Sequence, residues 1–231
     1  MSSVAIITAR GGSKRIPHKN IKEFCGRPII AYSIEAAVQA GCFDEVMVST
    51  DDERIAEIAK SCGAKVPFMR SAENADDFST TRDVVLEVLA CYEELDRVFD
   101  HACCIYPTAP FITGKRLAEA MQLLAEKEAD SVVPVVQFSF PPQRSLILQE
   151  GRAVFKWPEN ALARSQDLEP FYHDCGQFYC LNTRAFSKQQ LLFMEKTYPV
   201  ILDELEVQDI DNETDWKLAE LKYRLLHEKE Q

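Results

Sequence analysis

Residues 4–20 read VAIITARGGSKRIPHKN, an apolar run that leads directly into a basic, glycine-containing loop. The run from Val4 to Ile7 is continuously apolar, which is typical of a strand buried on both faces of a parallel sheet. The loop follows the carboxyl end of that strand, where open α/β sheets bind their ligands. This stretch therefore predicts both the fold class and the edge of the sheet that carries a site.

The same alternation of strand and helix patterns continues to about residue 135. Each short apolar run is followed by apolar residues at helical spacing, with capping residues or glycine at the helix ends. This order predicts a parallel sheet with helices on both faces. The predicted strands are 4–7, 45–49, 66–68, 101–106 and 131–136, and the predicted helices begin at Pro28, at Thr50 or Asp51, at Ser79 and at Thr113.

The alternation stops in residues 137–180, which contain irregular, proline-bearing sequence and short extended pieces. This segment is too short to fold alone, so we interpret it as an arm within one domain of residues 1–231 that packs on another subunit. A strand over 177–181 is predicted to return to the sheet. Asn212, with an aspartate three residues later, is predicted to cap a last helix that runs to about residue 228.

Composition excludes several classes of protein. The chain has 231 residues, 26 Lys and Arg against 37 Asp and Glu, and 46% hydrophobic residues. That much apolar material argues against disorder, and a net charge of −11 argues against a general nucleic-acid binder. We expect no membrane span, since no apolar run approaches ~18 residues. The eight cysteines, without a CxxC pair or a signal peptide, predict reduced thiols in the cytoplasm.

The loop of residues 10–22 has five Lys or Arg and no acid, in an otherwise acidic chain. Glycines at 11 and 12 let backbone N–H groups approach phosphate oxygens, and Arg10, Lys14 and Lys19 offset their charge. The loop matches neither the Walker pattern nor GxGxxG. It predicts a site for a small polyanion, and a solvated surface loop is the alternative.

Two carboxylates, Asp209 and Asp211, lie two residues apart near the carboxyl end. In an extended segment both side chains point to the same side. Such a pair can hold Mg²⁺, which keeps several waters and bridges to substrate phosphates. The alternative is that Asp211 helps to cap the last helix while Asp209 is solvated.

The chain resembles the sialic-acid-type cytidylyltransferases, or CMP-sugar synthetases, over nearly its whole length. The motifs that carry this resemblance are residues 5–20, 26–34, 48–52 and 70–73. The motifs that resemble the branch of the family acting on pseudaminic acid are residues 78–81, 104–110, 140–144 and 172–179. The resemblance implies a Rossmann-like, three-layer nucleotide-diphospho-sugar transferase fold with a mainly parallel sheet and a dimerisation arm.

The resemblance also implies a reaction. CMP passes from CTP to the anomeric hydroxyl of a nine-carbon sugar acid, a nonulosonic acid, and pyrophosphate leaves. It implies Mg²⁺, a homodimer with the arm exchanged across the interface, and a product used to glycosylate a surface structure. Three alternatives remain open: an N-acetylneuraminic, legionaminic or Kdo-type sugar, another nucleoside triphosphate, and an inert nucleotide-binding regulatory protein on the same fold.

Roles for individual residues follow from the family. The implied nucleotide-binding residues are Arg10, Gly11, Gly12, Ser13, Lys14, Asn20, Arg70, Ser79 and Thr81. The implied catalytic residues are Arg10, Lys14, Lys19 and Asp209, and the implied metal ligands are Asp209 and Asp211. The implied sugar-binding residues are Tyr106, Arg144, Arg164, His173 and Gln177. Tyr106 stands where sialic acid synthetases usually have Gln, which argues against N-acetylneuraminate itself.

Overall fold

The computed structural model describes residues 1–76 and 78–227. Its strands are β1 (Ser3–Thr8), β2 (Glu23–Phe24), β3 (Arg27–Pro28), β4 (Glu45–Ser49), β5 (His101–Ile105), β6 (Ser131–Gln137), β7 (Leu146–Gln149), β8 (Arg152–Phe155), β9 (Tyr172–Asp174), β10 (Phe178–Asn182) and β11 (Thr197–Ile201). Its α-helices are α1 (Ile29–Gln39), α2 (Glu53–Ser61), α3 (Thr81–Glu94), α4 (Gly114–Glu126), α5 (Thr183–Gln189) and α6 (Glu213–His227).

Seven strands form the central sheet in the order β11-β6-β10-β5-β1-β4, with β9 also paired to β6. Strand β1 is parallel to both β4 and β5, and β11 is parallel to β6. Strand β10 is antiparallel to its neighbours β5 and β6, and β9 is antiparallel to β6. The sheet is therefore mainly parallel, as predicted, and the return strand predicted at 177–181 is β10.

Alternate residues of β1 pack into two separate cores. Ala5 and Ile7 contact the cluster that includes residues of α1, α2 and α4. Val4 and Ile6 contact the cluster that includes residues of α3 and α5. All four are 0% exposed, and burial of one such isoleucine contributes about 1.5–3 kcal/mol. The continuous apolar run of β1 thus arises because both faces of the sheet are covered by helices.

Two local predictions were wrong. Residues 66–68 form no strand: Lys65 makes a single parallel bridge to Met47, and Pro67, which has no N–H to donate, follows two residues later. The cap of α2 is Asp52 rather than Thr50 or Asp51. Its carboxylate accepts hydrogen bonds from the N–H groups of residues 54 and 55.

A third apolar cluster attaches the basic loop to the carboxyl-terminal helix. It includes Ile16 of the loop, Phe24 and Tyr32, together with Ile210 and Trp216 near the start of α6. The predicted cap of α6 is confirmed, since the Asn212 side chain accepts from the N–H groups of residues 214 and 215. The predicted end of this helix near residue 228 lies outside the described residues.

Most of the predicted arm lies outside the sheet. Residues 138–171, here called the hairpin segment, contain the β7–β8 hairpin and three short 3-10 turns. Apolar side chains in this segment are solvent-exposed: Phe140 is 85%, Leu148 83% and Leu162 98% exposed. In the described part of the chain, no helix has the length and apolar character needed to cross a bilayer.

Candidate active site

Two cavities meet at Tyr106, at the carboxyl ends of β1, β4 and β5. The first, here called the loop cavity, has a volume of about 250 Å³ and is lined by Thr8, Arg10, Ser13, Lys14, Arg15, Ile16, Lys19, Asn20, Arg70, Ser79, Thr81, Val84, Tyr106, Pro107 and Thr108. The second, here called the tail cavity, has a volume of about 590 Å³ and is lined by Tyr106, Val136, Gln137, Ser139, His173, Asp174, Cys175, Gly176, Tyr179, Glu204, Val207, Gln208, Asp209 and Lys222.

The basic loop of residues 10–22 directly contacts the segment around Asp209 and Asp211, here called the acidic tail. Lys19 Nζ donates to the carbonyl oxygen of Ile210 at 2.6 Å. Arg15 forms an ion pair with the Asp211 carboxylate at 2.7 Å. Lys22 bonds Glu213, at the start of α6, also at 2.7 Å. Segments nearly 200 residues apart in sequence therefore form one continuous wall of the site.

Burial and nearby negative charge have opposite effects on the pKa of the Lys19 ammonium. Burial lowers its pKa, and the carboxylates of Asp211 and Asp209 act in the opposite direction. Both carboxylates are therefore near the same ammonium group. The residue between them, Ile210, is 1% exposed and packs in the third apolar cluster. This in–out alternation places the two aspartates on one side of the chain, as the sequence predicted.

The aspartate pair suits a hard divalent cation. Among residues 1–76 and 78–227, no group of three or more His, Cys, Asp or Glu side chains is placed to hold a metal ion. Mg²⁺ needs fewer protein ligands than that, because it retains waters and takes oxygens from substrate phosphates. Two carboxylates beside a cationic cavity fit Mg²⁺, and Asp209 and Asp211 are the residues that could hold it.

The two glycines of the loop have different surroundings. The N–H of Gly11 donates to Asp51 Oδ1 at 2.8 Å, and a Cβ at Gly11 would lie 2.8 Å from Asp52 Oδ2. Gly12 has open space around it. Gly11 therefore allows close packing of the loop on the cap of α2, and Gly12 is the position where the backbone is open to a ligand.

Asn20 and Arg10 shape the loop from within. Asn20 is 5% exposed and donates from Nδ2 to the carbonyl oxygen of Arg10 at 2.8 Å. The Arg10 guanidinium donates to the carbonyl oxygen of Asp76. Both side chains also line the loop cavity, together with Ser13, Lys14 and Lys19. The structure thus brings together the charged residues that the sequence assigned to phosphate binding.

Arg70 is a buried cation in the wall of the loop cavity. It is 8% exposed, and its guanidinium donates to the hydroxyl and carbonyl oxygens of Ser49 at 2.9 and 2.6 Å. Burial lowers its pKa, and the carboxylates of Asp51 and Glu87 partly offset that effect. Without a binding role, Arg70 would be expected to be an ordinary exposed surface arginine. Its burial shows that it is not one.

The start of α3 forms another part of the wall of the loop cavity. The cap of the helix is Thr80, whose side chain accepts from the N–H of Asp83 while the Asp83 carboxylate accepts from the N–H of Thr80. Ser79 instead donates to Asp76 Oδ1 at 2.7 Å. The side chains of Ser79 and Thr81 therefore line the cavity, and the capping role belongs to the residue between them.

Tyr106 belongs to both cavities. Its N–H donates to the carbonyl oxygen of Gln177 at 2.8 Å, which holds it at the end of β5. Its hydroxyl lies 2.9 Å from Thr81 Oγ1. Burial raises the pKa of Tyr106. A neutral phenol therefore separates the space over the basic loop from the space over the tail.

The structure separates the predicted sugar-binding residues. His173 lines the tail cavity, with its ring 4.7 Å from that of Phe138. Gln177 is instead an interior residue, 3% exposed, and its Nε2 donates to the carbonyl oxygen of Glu206 at 2.6 Å. Gln177 therefore lines neither cavity, and its amide N–H is used in a buried hydrogen bond to the turn at Glu206.

The two predicted arginines of the arm line neither cavity. Arg144 and Arg164 lie in the hairpin segment, exposed to solvent. The Arg164 guanidinium bonds both carboxylate oxygens of Asp167, at 2.7 and 3.1 Å. Arg144 lies 3.5 Å from Ser165 Oγ. A sugar-binding role for these two arginines stays a prediction.

Sequence reasoning missed several residues of the wall. Arg15 was counted among the five cations of the loop, but its pairing with Asp211 depends on distant parts of the chain. Asp174 and Tyr179, which line the tail cavity, bond each other at 2.6 Å. Alternation along β10 gave no signal for Tyr179, since Phe178 and Tyr179 are both buried and the strand is covered on both faces.

Comparison with known proteins gives consistent results. A family model described as cytidylyltransferase matches residues 4–210. The chain is 38% identical to pseudaminic acid cytidylyltransferase of Campylobacter jejuni, over 99% of each protein. It is 34% identical to CMP-N,N'-diacetyllegionaminic acid synthase of Legionella pneumophila, over 95% of each. A solved structure of CMP:2-keto-3-deoxy-manno-octonic acid synthetase complexed with CTP is similar in fold, with a TM-score of 0.68 at 19% identity, covering 99% of this chain and 100% of that one.

Proposed function

This chain belongs to the cytidylyltransferase family, and from that membership we propose that it transfers CMP from CTP to the anomeric hydroxyl of a nonulosonic acid, with release of pyrophosphate. The proposed sugar is pseudaminic acid, the acid named in a relative that matches over 99% of both chains. The observation that carries the proposal is the contact between the basic loop and the acidic tail, through Lys19 and Ile210 and through Arg15 and Asp211.

The nucleotide is proposed to bind in the loop cavity. Its triphosphate would meet the cationic end, where Arg10, Lys14 and Lys19 line the wall. Arg70, Ser79 and Thr81 line the same cavity and would contact the nucleoside. A short cluster of cations in a chain of net charge −11 attracts a small polyanion without making the whole surface basic.

Chemistry in this site is mainly positioning and charge stabilisation. The sugar hydroxyl attacks the α-phosphate, and pyrophosphate leaves from the opposite side. Lys19 and the loop cations stabilise the charge that develops on the phosphates, in a partly dehydrated site where such interactions are strong. Asn20 and Gly11 hold the loop in the shape that presents these groups. No covalent intermediate on the protein is required.

Mg²⁺ would be held by Asp209 and Asp211. When bound, it would polarise the phosphates and offset their negative charge. The pair also has a role without the ion, since both carboxylates act on the charge of Lys19 and Asp211 pairs with Arg15. Binding of the ion is therefore expected to change the ion pairs of these carboxylates as well as the charge on the substrate phosphates.

The proposed sugar site is the tail cavity. It lies next to the loop cavity through the shared Tyr106, so a sugar there can approach the nucleotide. His173 and Asp209 line it together with backbone of the turn at Gly176. The space of about 590 Å³ is of the size that binds small ligands.

We propose a homodimer in which the hairpin segment of one copy packs on the other. Three strongly exposed apolar side chains, Phe140, Leu148 and Leu162, support a partner that covers this segment. The same packing would carry Arg144 or Arg164 toward the neighbour's tail cavity. A guanidinium there can bind the sugar carboxylate bidentately.

The proposed setting is the cytoplasm, which the eight cysteine thiols, unpaired in the structure, support. The product is an activated sugar acid, and the class of enzyme that would consume it is a glycosyltransferase. We propose that the sugar is delivered in this way to a surface glycan.

The test is pyrophosphate release from CTP in the presence of Mg²⁺ and single sugar acids. The expected result is turnover with pseudaminic acid that exceeds turnover with N-acetylneuraminic, legionaminic and Kdo-type acids. Replacing CTP with UTP or ATP is expected to abolish it. Tight CTP binding without pyrophosphate release for any sugar would instead support an inert nucleotide-binding protein.

A further inference from the structure

The chain that carries Asp209 is held in place from α6. Residues 204–210 consist of one 3-10 turn and irregular chain. Lys222, on α6, donates from Nζ to the carbonyl oxygen of Val207 at 2.7 Å and to that of Glu204 at 3.2 Å. One ammonium group therefore joins two main-chain carbonyls of the segment that leads into the proposed metal ligand.

Asp209 lies between two carbonyl groups that are each bound by a lysine. Two residues before it, the carbonyl oxygen of Val207 accepts from Lys222. One residue after it, the carbonyl oxygen of Ile210 accepts from Lys19 at 2.6 Å. Hydrogen bonds from a charged donor are about twice as strong as neutral ones, so both flanks of Asp209 are firmly held. Lys19 holds one flank to the basic loop, and Lys222 holds the other to α6.

Lys222 is not a solvated surface lysine. Its side chain is half-buried and lines the tail cavity, as Asp209 does. An ammonium has three N–H donors, and two of them are used on the carbonyls of residues 204 and 207. Lys217, on the same helix, is exposed and does not line the cavity. The two lysines share a helix and a charge, and in the part of the chain that the structure describes only Lys222 bonds the segment before Asp209.

The charge of Lys222 opposes a cation at Asp209. Both side chains line the same cavity, so a divalent cation held by the carboxylate is repelled by the ammonium. Loss of the charge alone would therefore strengthen cation binding. Loss of the two hydrogen bonds would weaken it, because the carboxylate would no longer be held in one position. The charge and the hydrogen bonds thus predict changes of opposite sign.

We propose that Lys222 is a positioning residue that holds Asp209 in the geometry in which it binds the divalent cation. This role rests on the proposed function, in which Mg²⁺ is held by Asp209 and Asp211. Lys222 acts through the main chain of residues 204–207 and touches neither the cation nor the reacting atoms. Loss of a group that orients a metal ligand typically lowers metal affinity by about 10- to 100-fold.

The first test measures cation binding without turnover. Mn²⁺ is titrated into the enzyme with CTP and no sugar acid, free Mn²⁺ is read by electron paramagnetic resonance, and CTP without enzyme is the reference. Lys222→Met is expected to bind Mn²⁺ about 10-fold more weakly than wild type. Asp209→Asn, which removes the ligand itself, is expected to lose at least as much.

The second test measures the Mg²⁺ dependence of pyrophosphate release. Lys222→Met is expected to need about 10-fold more Mg²⁺ for its half-maximal rate, and its kcat is expected to approach that of wild type at saturating Mg²⁺. A variant that is merely less stable would show an unchanged Mg²⁺ requirement in its folded fraction. A lysine that binds the sugar acid directly would instead, on replacement, raise KM for the sugar and leave Mn²⁺ affinity unchanged.

Two further variants complete the comparison. Lys217→Met is the matched control, because it removes the same charge from an exposed position of the same helix, and it is expected to leave Mn²⁺ affinity and the Mg²⁺ requirement unchanged. Lys222→Gln removes the charge and keeps a polar side chain that is one bond shorter. It is also expected to bind Mn²⁺ more weakly, and it gives the same test of sign where Lys222→Met does not fold. Thermal melting verifies folding.

Unchanged or tighter Mn²⁺ binding in the folded Lys222 variants would overturn the proposed role, as would an equal loss in Lys217→Met. Failure of both Lys222 variants to fold would make Lys222 a residue of the fold and would overturn it too. Wild-type Mn²⁺ affinity in Asp209→Asn has the same consequence, since Asp209 would then not hold the cation. Wild type that binds Mn²⁺ through Asp209 but releases no pyrophosphate with any sugar acid contradicts the proposed function and leaves the role of Lys222 standing.

Discussion

Lys19 and Lys22 belong to the same basic loop, and both contact the carboxyl-terminal part of the chain, but their environments differ. Lys19 lines the loop cavity and donates to the carbonyl oxygen of Ile210. Lys22 bonds Glu213 and lies 4.6 Å above the ring of Trp216. Lys19 therefore faces the loop cavity, and Lys22 holds the loop against α6.

Replacement of Lys19 by alanine is expected to lower kcat/KM for CTP by about 10²- to 10³-fold, because the site loses a preorganised donor to the phosphates. Lys22→Ala is the control. It removes an exposed ion pair and a cation–π contact, so we expect a loss of about 1 kcal/mol in stability and little change in rate. Steady-state pyrophosphate release and chemical denaturation measure the two effects. A near-normal rate for Lys19→Ala would remove this residue from the mechanism.

For Gln177 we predict an effect on stability rather than on the rate of the reaction. Gln177→Leu keeps the side-chain volume but leaves the carbonyl oxygen of Glu206 without its donor, so it is expected to lower the free energy of unfolding by about 1–3 kcal/mol. KM for the sugar is expected to change little in the folded variant. Urea denaturation measures the free energy of unfolding, and steady-state kinetics measure KM for the sugar. A large rise in that KM at normal stability would place Gln177 in the sugar site.

At the scale of residues, the sequence predicted the chemistry of the charged groups better than their partners. Arg10, Lys14 and Lys19 were assigned from local density of charge, and all three line one cavity. Gln177 was assigned from a motif, but its burial depends on how β10 packs beside the turn at Glu206. Such long-range partners are invisible in local spacing.

The first turn of α3 supports the loop cavity and has an acid-sensitive cap. Hydrogen bonds from the hydroxyl and N–H of Thr80 to the Asp83 carboxylate lower the pKa of Asp83 from 3.8 to about 2. A folded-state pKa below the unfolded one stabilises the protein above the unfolded pKa. That contribution is lost as the pH falls from about 4 to about 2.

Asp83→Asn is accordingly expected to cost about 1 kcal/mol at pH 7, with allowance for partial solvent exposure of the carboxylate. The difference from wild type is expected to shrink as the pH falls through 4. Denaturant titrations at several pH values between about 7 and about 2.5 measure the difference. A gap that stays constant over this range would show that the Asp83 charge does not contribute to the cap.

At the scale of elements, periodicity predicted the helices and the buried strands because each has one dominant local signal. The region after α2 was ambiguous, since Val66 and Phe68 read as a strand while Pro67 limits its hydrogen bonds. The cap of α2 was predicted at Thr50 or Asp51, one or two residues before the observed cap, Asp52. In the structure the N–H of Gly11 donates to the Asp51 carboxylate, and Asp52 is the residue that caps the helix.

At the scale of the molecule, the hairpin segment connects oligomeric state with activity. We expect a dimer in solution and a monomer for Leu148→Asp, which places a charge on a residue 83% exposed in the single chain. The variant is expected to retain CTP binding and to lose most of its turnover with the sugar. Light scattering after size-exclusion chromatography measures the first effect. A wild-type monomer with full activity would contradict the proposed exchange of the arm.

The sequence predicted the family, the mainly parallel sheet and the enzyme class, because these depend on motifs and patterns spread along the whole chain. It did not predict the contact of Tyr179 with Asp174 or that of Tyr106 with Thr81. That arrangement requires β5, β9, β10 and α3 to meet, and only the register of the sheet decides which hydroxyls face each other.

The central claim is that the basic loop and the aspartate pair act together on one triphosphate. A double-mutant cycle of Lys19→Ala and Asp209→Asn, measured as kcat/KM for pyrophosphate release, tests it most directly. Because each group acts on the same phosphates, the double variant is expected to be much less impaired than the product of the two single losses. Losses that multiply independently would mean that loop and tail do not act on a common substrate, and would contradict the account.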